Sequence, residues 1–190
     1  MLRFFKNLIS SLFYLVLKLR YRLHLKGLNE IIRKKNQLNN SGGILFLFNH
    51  PGLIDPMISI ALLQKEFNVR TVVAEHVLES GILKKIINLS KPIAVPKFHL
   101  HSNVFTKERG EAAYRKICQG LRNGENFVMS PAGRLKLTGV ESLGGSSWAH
   151  RILHDVSEAN IVLVRYDGLW GSIFSRAITG QSPDILFTFM

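Results

Sequence analysis

"SGGILFLFNHPGLIDP", residues 41–56, runs from two glycines through an unbroken apolar stretch into a turn that holds one histidine and one carboxylate. A short, continuous apolar run after glycines fits a strand covered on both faces, as in a parallel sheet. Asp55-Pro56 then looks like a helix N-cap followed by proline at the first helical position, opening "PMISIALLQKEF" (residues 56–67). His50 and Asp55 therefore sit on a strand-to-helix connection.

Outward from this stretch the pattern repeats. "VRTVVA" (69–74) is a second strand, "GILKKIINL" (81–89) a short helix and "PIAVP" (92–96) a short strand or extended segment. "TKERGEAAYRKICQGLRNGE" (106–125) is helical, with Thr106 as N-cap, Ala113, Ile117 and Leu121 at helical spacing, and a stop at Asn123-Gly124. "NFVMS" (126–130) is the next strand, followed by a loop through Gly144-Gly145-Ser146-Ser147, a helix over "WAHRILHDVSEA" (148–159) and a strand over "IVLVR" (161–165). Strands alternating with helices predict a single-domain α/β sandwich with a mixed, largely parallel sheet. The chain closes on "PDILFTFM" (183–190), another apolar run. An α/β domain that ends on a strand without a closing helix is unusual, so a natural chain that continues past Met190 is one expectation.

With 190 residues, 46% hydrophobic and 20% charged, the chain can bury a sizeable core, which excludes wholesale disorder. The single cysteine, Cys118, cannot form an intrachain disulfide and fits a small core position. The formal net charge of +12 points to a polyanionic partner, either nucleic acid or an anionic membrane surface. No helix-turn-helix, zinc-finger or aromatic-rich RNA-binding signature supports nucleic acid. The opening "MLRFFKNLISSLFYLVLKLRYRLHLKG" mixes long apolar side chains with cations, and its longest stretch without a charge, residues 7–17, is 11 residues. A spanning helix needs about 20 apolar residues. Residues 1–28 are therefore expected to form an amphipathic helix that lies in a membrane surface, with residues 29–190 as the chemical domain. An ordinary core helix with a solvated basic face is the alternative.

The turn carries the chemistry. In open α/β sheets ligands sit at the carboxyl ends of strands, where His50 falls. A histidine takes a proton from a hydroxyl near neutral pH, and a neighbouring carboxylate fixes its tautomer. The spacing alone also fits a turn histidine beside an N-cap aspartate.

"NHPGLIDP" (49–56) resembles the N-H-x4-D motif of the glycerolipid (lysophospholipid) acyltransferase family, which includes the 1-acylglycerol-3-phosphate acyltransferases. "FVMSPAGRLKLTG" (127–139) is similar to that family's second signature, usually F-P-E-G-x-R. "IVLVRYDGLWGSIFSR" (161–176) most resembles the acyltransferase part of the acylglycerophosphoethanolamine acyltransferases. The resemblance implies acyl transfer from a thioester, on coenzyme A or acyl carrier protein, to a lysophospholipid hydroxyl. It implies His50 as general base oriented by Asp55, with Asn49, Gly133, Arg134 and, more loosely aligned, Lys97 binding substrate. No cofactor or metal is implied. The partners expected are a phospholipid surface, the thioester and the acceptor, with the protein on the cytoplasmic face of a membrane. Ala132 stands where the family usually has glutamate, and Ser130 where it has an apolar residue. A lipid-binding protein of the same fold with impaired turnover is the second expectation.

Other features have plainer readings. His99 with His101, and His150 with His154, have ligand spacing but no completing carboxylate or cysteine. Trp148, Trp170 and Phe174 suit an acyl channel or a membrane interface, with ordinary core packing the default for each one singly. The Gly144-Gly145-Ser146-Ser147 stretch lacks the ending of a nucleotide-binding loop and is expected to be a flexible connection.

Overall fold

A computed structural model of the chain describes residues 2–38, 40–79, 81–96, 103–136, 139–143, 148–175 and 184–190. Lys97, His99, His101 and the 144–147 loop lie outside the described residues. The elements in order are α1 (Leu2–Arg20), β1 (Arg22–Lys26), α2 (Leu28–Leu38), β2 (Ile44–Phe48), α3 (Asp55–Phe67), β3 (Arg70–Ala74), a 3-10 turn (Glu75–Leu78), α4 (Gly81–Asn88), β4 (Ile93–Val95), α5 (Val104–Arg122), β5 (Phe127–Met129), α6 (Trp148–Asp155), β6 (Asn160–Asp167) and β7 (Asp184–Phe189). The strands form one sheet in the order β1-β7-β6-β2-β5-β3-β4. Only β6 and β7 run antiparallel; the other described pairings are parallel. The α/β sandwich with a mixed, largely parallel sheet is therefore the fold.

β2 lies at the centre because both its faces are apolar. Ile44, Phe46 and Phe48 enter one core with Leu17 of α1, Ile58 and Leu63 of α3 and Ile87 of α4. Leu45 and Leu47 enter the other with Ile117 and Leu121 of α5 and Ile152 of α6. All five are nearly inaccessible to solvent, and burying each such side chain favours folding by about 1.5–3 kcal/mol. The strand is pinned on both sides, Leu47 opposite Met129 of β5 and Phe48 opposite Val164 of β6.

Three local expectations change. The N-terminal helix does not run to residue 28: it ends at Arg20, and "RLHLK" forms β1 at the sheet edge beside β7. The N-cap of α3 is Ile54, which supplies no side-chain hydrogen bond, because the Asp55 carboxylate turns back toward the preceding turn. The cap of α5 is Asn103 and not Thr106: Asn103 Oδ1 accepts from the Thr106 backbone N–H at 2.9 Å and from its hydroxyl at 2.8 Å. An Asx side chain before the first turn satisfies an orphan N–H that a threonine inside that turn cannot reach.

α1 packs along α3, with Ser10 Oγ donating to the Ile60 carbonyl at 2.9 Å. Lys6, Ser10 and Leu17, on one stripe, are buried there. Burial, followed by the charges of Lys91 and Arg70, holds the Lys6 ammonium below its ordinary pKa. Two residues to one side or the other of these, and so on the opposite face, Leu8, Leu12, Leu15 and Leu19 are exposed. Among the described residues no helix is long and apolar enough to cross a membrane.

Candidate active site

The site begins where β2 stops. Asn49 ends the strand by imitating a backbone unit: its Nδ2 donates to the Tyr166 carbonyl at 2.9 Å, and its Oδ1 accepts from the Tyr166 N–H at 2.6 Å. These two bonds continue the β2–β6 pairing with a side chain, so the main chain is free to leave the sheet at His50. The Asn49 amide thereby holds the end of the strand in place.

His50 Nδ1 lies 2.9 Å from Asp55 Oδ2, and that same oxygen accepts the Gly52 N–H at 2.9 Å. Gly52 is closely packed in the turn: a Cβ there would stand 3.2 Å from Asp55 Oδ1 and 3.4 Å from the Phe174 carbonyl oxygen. Asp55 is fully buried, whereas the His50 side chain keeps 19% of its surface exposed. With Nδ1 donated to the carboxylate, Nε2 is the ring nitrogen left to take a proton.

Burial pushes the Asp55 carboxyl up to about 6; the His50 hydrogen bond and charge and the Gly52 N–H pull the other way, and the Glu141 charge adds to the rise. Asp55 Oδ1 is buried and accepts no hydrogen bond among the described residues, which leaves the charged form short of one partner. Behind the pair, Ser59 Oγ donates to the Asp55 carbonyl at 3.0 Å and bonds the Tyr166 hydroxyl. Burial also holds the Tyr166 phenol above its ordinary pKa, so the group stays neutral.

The second signature forms the facing wall. After β5 the chain turns at residues 130–133, closed by Gly133 N–H to the Ser130 carbonyl at 3.1 Å, and Gly133 has φ of 62°. That left-handed conformation accounts for the glycine. Ala132 is buried in the turn. Arg134 is exposed, with Nη2 3.2 Å from Ser142 Oγ. Two residues on, the Lys136 N–H donates to the His50 carbonyl at 2.9 Å, and its ammonium sits over the Trp170 ring, 5.0 Å from the centroid. Glu141 Oε1 accepts the His50 backbone N–H at 2.9 Å.

A cavity of about 310 Å³ opens beside this wall, lined by Leu47, Asn49, Pro131, Glu141, Leu163 and Arg165 among others. None of the three large aromatics proposed for an acyl channel lines it. Trp148 packs edge-on against Tyr114, Phe174 against Tyr21, and Trp170 lies under Lys136. His150 is exposed, and His154 Nδ1 pairs with Asp155 Oδ1 at 2.9 Å.

The fold thus brings His50, Asp55 and the loop of Gly133 and Arg134 together. Glu141, Lys136 and Tyr166 were not read from the sequence. Tyr166 acts through a strand 117 residues from Asn49 and carries no local signal. Glu141 did leave one trace, as the sole acidic residue between Glu125 and Asp155.

The Acyltransferase family model matches residues 30–155 of the chain. No curated protein sequence matches the chain significantly. Among solved structures, the fold is similar to that of the 1-acyl-sn-glycerophosphate (LPA) acyltransferase, PlsC, from Thermotoga maritima, with a TM-score of 0.65 and 12% identity, over 99% of this chain and 67% of that one. The matched residues run from α2 to the end of α6 and contain the whole His50–Asp55 turn and the loop that faces it, so the chain belongs to the acyltransferase family.

Proposed function

We propose that the protein is a membrane-surface O-acyltransferase that moves a fatty acyl group from an acyl thioester, on coenzyme A or acyl carrier protein, to the free hydroxyl of a lysophospholipid or acylglycerol phosphate. The observation that carries this reading is the 2.9 Å contact between His50 Nδ1 and the fully buried Asp55 carboxylate at the end of the central strand. His50 Nε2 takes the acceptor's hydroxyl proton as the oxygen attacks the thioester carbonyl. The new C–O bond forms, the C–S bond breaks, and the imidazolium returns the proton to the leaving thiolate. Asp55 holds the ring and balances its transient charge. No covalent intermediate on the enzyme is needed.

Arg134 is the proposed phosphate holder, exposed on the loop whose Lys136 binds the His50 main chain. Its planar fork of donors suits two phosphate oxygens. The apolar wall of the cavity, Leu47 and Leu163, suits the acyl chain. Arg134→Ala should raise the acceptor KM about tenfold or more, since a charge-assisted hydrogen bond contributes about 1.5–3 kcal/mol. An unchanged KM would put the phosphate elsewhere.

Release of free thiol from acyl-coenzyme A and acyl-carrier-protein donors, with lysophospholipid acceptors on liposomes, tests the reading directly. Acceptor-dependent release should fall about 100-fold or more in His50→Ala, the range for loss of a general base. Equal rates in the two proteins would remove the mechanism. A second reading, a lipid-binding protein with impaired turnover, is favoured by one observation, the buried alanine at position 132. It requires vesicle binding with no thiol release from any donor and acceptor pair.

A further inference from the structure

We infer that Glu141 is a positioning residue of this site: its carboxylate grips the main chain of His50 and so fixes where the imidazole stands, supplying from a downstream loop a carboxylate that position 132 lacks. The inference rests on the proposed function for its kinetic consequence and on geometry alone for the grip.

His50 has left β2, so the sheet ladder no longer satisfies its backbone. Lys136 of the second signature and Glu141 just after it meet both of its polar groups. Glu141 Oε1 accepts the N–H from 91 residues away, and the Lys136 N–H donates to the carbonyl, each at 2.9 Å. A side chain turns freely about its own Cα, but the Cα of His50 is now held from both sides. Asp55 fixes the ring about that axis. Three contacts therefore define the position of Nε2, two on the main chain and one on the ring.

Position 132 does not supply this grip itself. Ala132 is 5% exposed and ends in a methyl group, which accepts no hydrogen bond. The Glu141 carboxylate also lines the cavity beside Asn49 and Arg165. It stands where it touches both the catalytic turn and the space next to it. The buried alanine at 132 then no longer implies a silent site.

The test compares the full-length protein with Glu141→Ala, Glu141→Gln and Glu141→Asp. Two readouts are taken: exchange of the His50 backbone amide by NMR, and kcat and KM for thiol release. Gln keeps an acceptor oxygen at the same reach, whereas Asp keeps the charge and loses the reach. The His50 amide should exchange about tenfold faster or more in the Ala and Asp variants, with Gln within about threefold of wild type. The kcat should follow the same order, about tenfold down for Ala and Asp and near wild type for Gln, with KM values within about twofold. Slow exchange in every variant overturns the grip, as does a Gln variant as impaired as Ala. A raised KM with unchanged kcat would make Glu141 a substrate contact and overturn the positioning role. If the wild-type protein releases no thiol at all, the proposed function falls. The exchange comparison then decides alone, faster exchange in Ala and Asp supporting the grip and equal exchange removing it.

Discussion

Asp55 shows how one residue can serve chemistry against stability. Its carboxyl, pushed by burial from 3.8 up to about 6, binds its proton more tightly in the folded protein than in the unfolded chain. The stability it contributes is therefore fully present below pH 3.8 and is lost as pH rises through about 6. At neutral pH the fold carries a buried charge that the proposed mechanism needs and the core does not. Asp55→Asn removes that charge while keeping an oxygen for the Gly52 N–H. The unfolding free energy of the variant relative to wild type should rise by up to about 3 kcal/mol between pH 4 and pH 7.5, as acyl transfer is lost. Parallel denaturant titrations at several pH values would measure it, and a difference flat in pH would exclude a raised Asp55 carboxyl pKa in that pocket. The sequence told half of this residue's story. The pairing with His50 was legible in the resemblance of "NHPGLIDP" to the N-H-x4-D motif, since the five-residue spacing alone also fitted an N-cap aspartate. The N-cap assignment was not: Asp55 is the first residue of α3 rather than its cap, and its carboxylate turns back to His50 and Gly52. At Asn49 the polar side chain was visible, but its partner lies on a strand 117 residues away, and no local pattern encodes that.

At the scale of elements, α1 is the one that faces two ways. Lys6, Ser10 and Leu17 settle on α3, while Leu8, Leu12, Leu15 and Leu19 look outward and Leu19 is 79% exposed. Lys18 and Arg20 occupy the last turn and Arg22 follows it in β1. An outward apolar stripe ending in cations is suited to anionic lipid. Paired substitution of Leu12→Glu and Leu19→Glu leaves the packed stripe untouched. It should weaken sedimentation with anionic vesicles about tenfold or more, with Tm within about 3 °C of wild type. Unchanged sedimentation would assign the contact to another surface. The helix was legible from its composition, but its end was not. "RLHLK" alternates cations and apolar residues, as an edge strand does, yet it follows a helical stretch of the same composition without a break. Only the neighbouring β7 backbone gives it a reason to extend.

Over the whole molecule, the sandwich was readable because β2, β5 and the start of α3 are apolar enough to require cover on both faces. The order of strands was not readable, since periodicity reports which face is buried and never which neighbour buries it. The sheet sets β6 between β2 and β7, and thereby puts the second turn of the site, after β5, and the Tyr166 backbone on either side of His50. The same order seats β1 at the edge with β7 as its partner, Arg22 beside Asp184. A ribosome makes the first of these strands long before the second, since Arg22 pairs with Asp184. Until then β1 has no ladder to join, and β6 presents a bare edge to any other nascent chain. That pairing joins residues far apart in the sequence, so closure of this edge belongs late in folding. A chain stalled before residue 184 would leave β1 without its neighbour, and the helix that leads into it through Tyr21 would lose its anchor in the sheet.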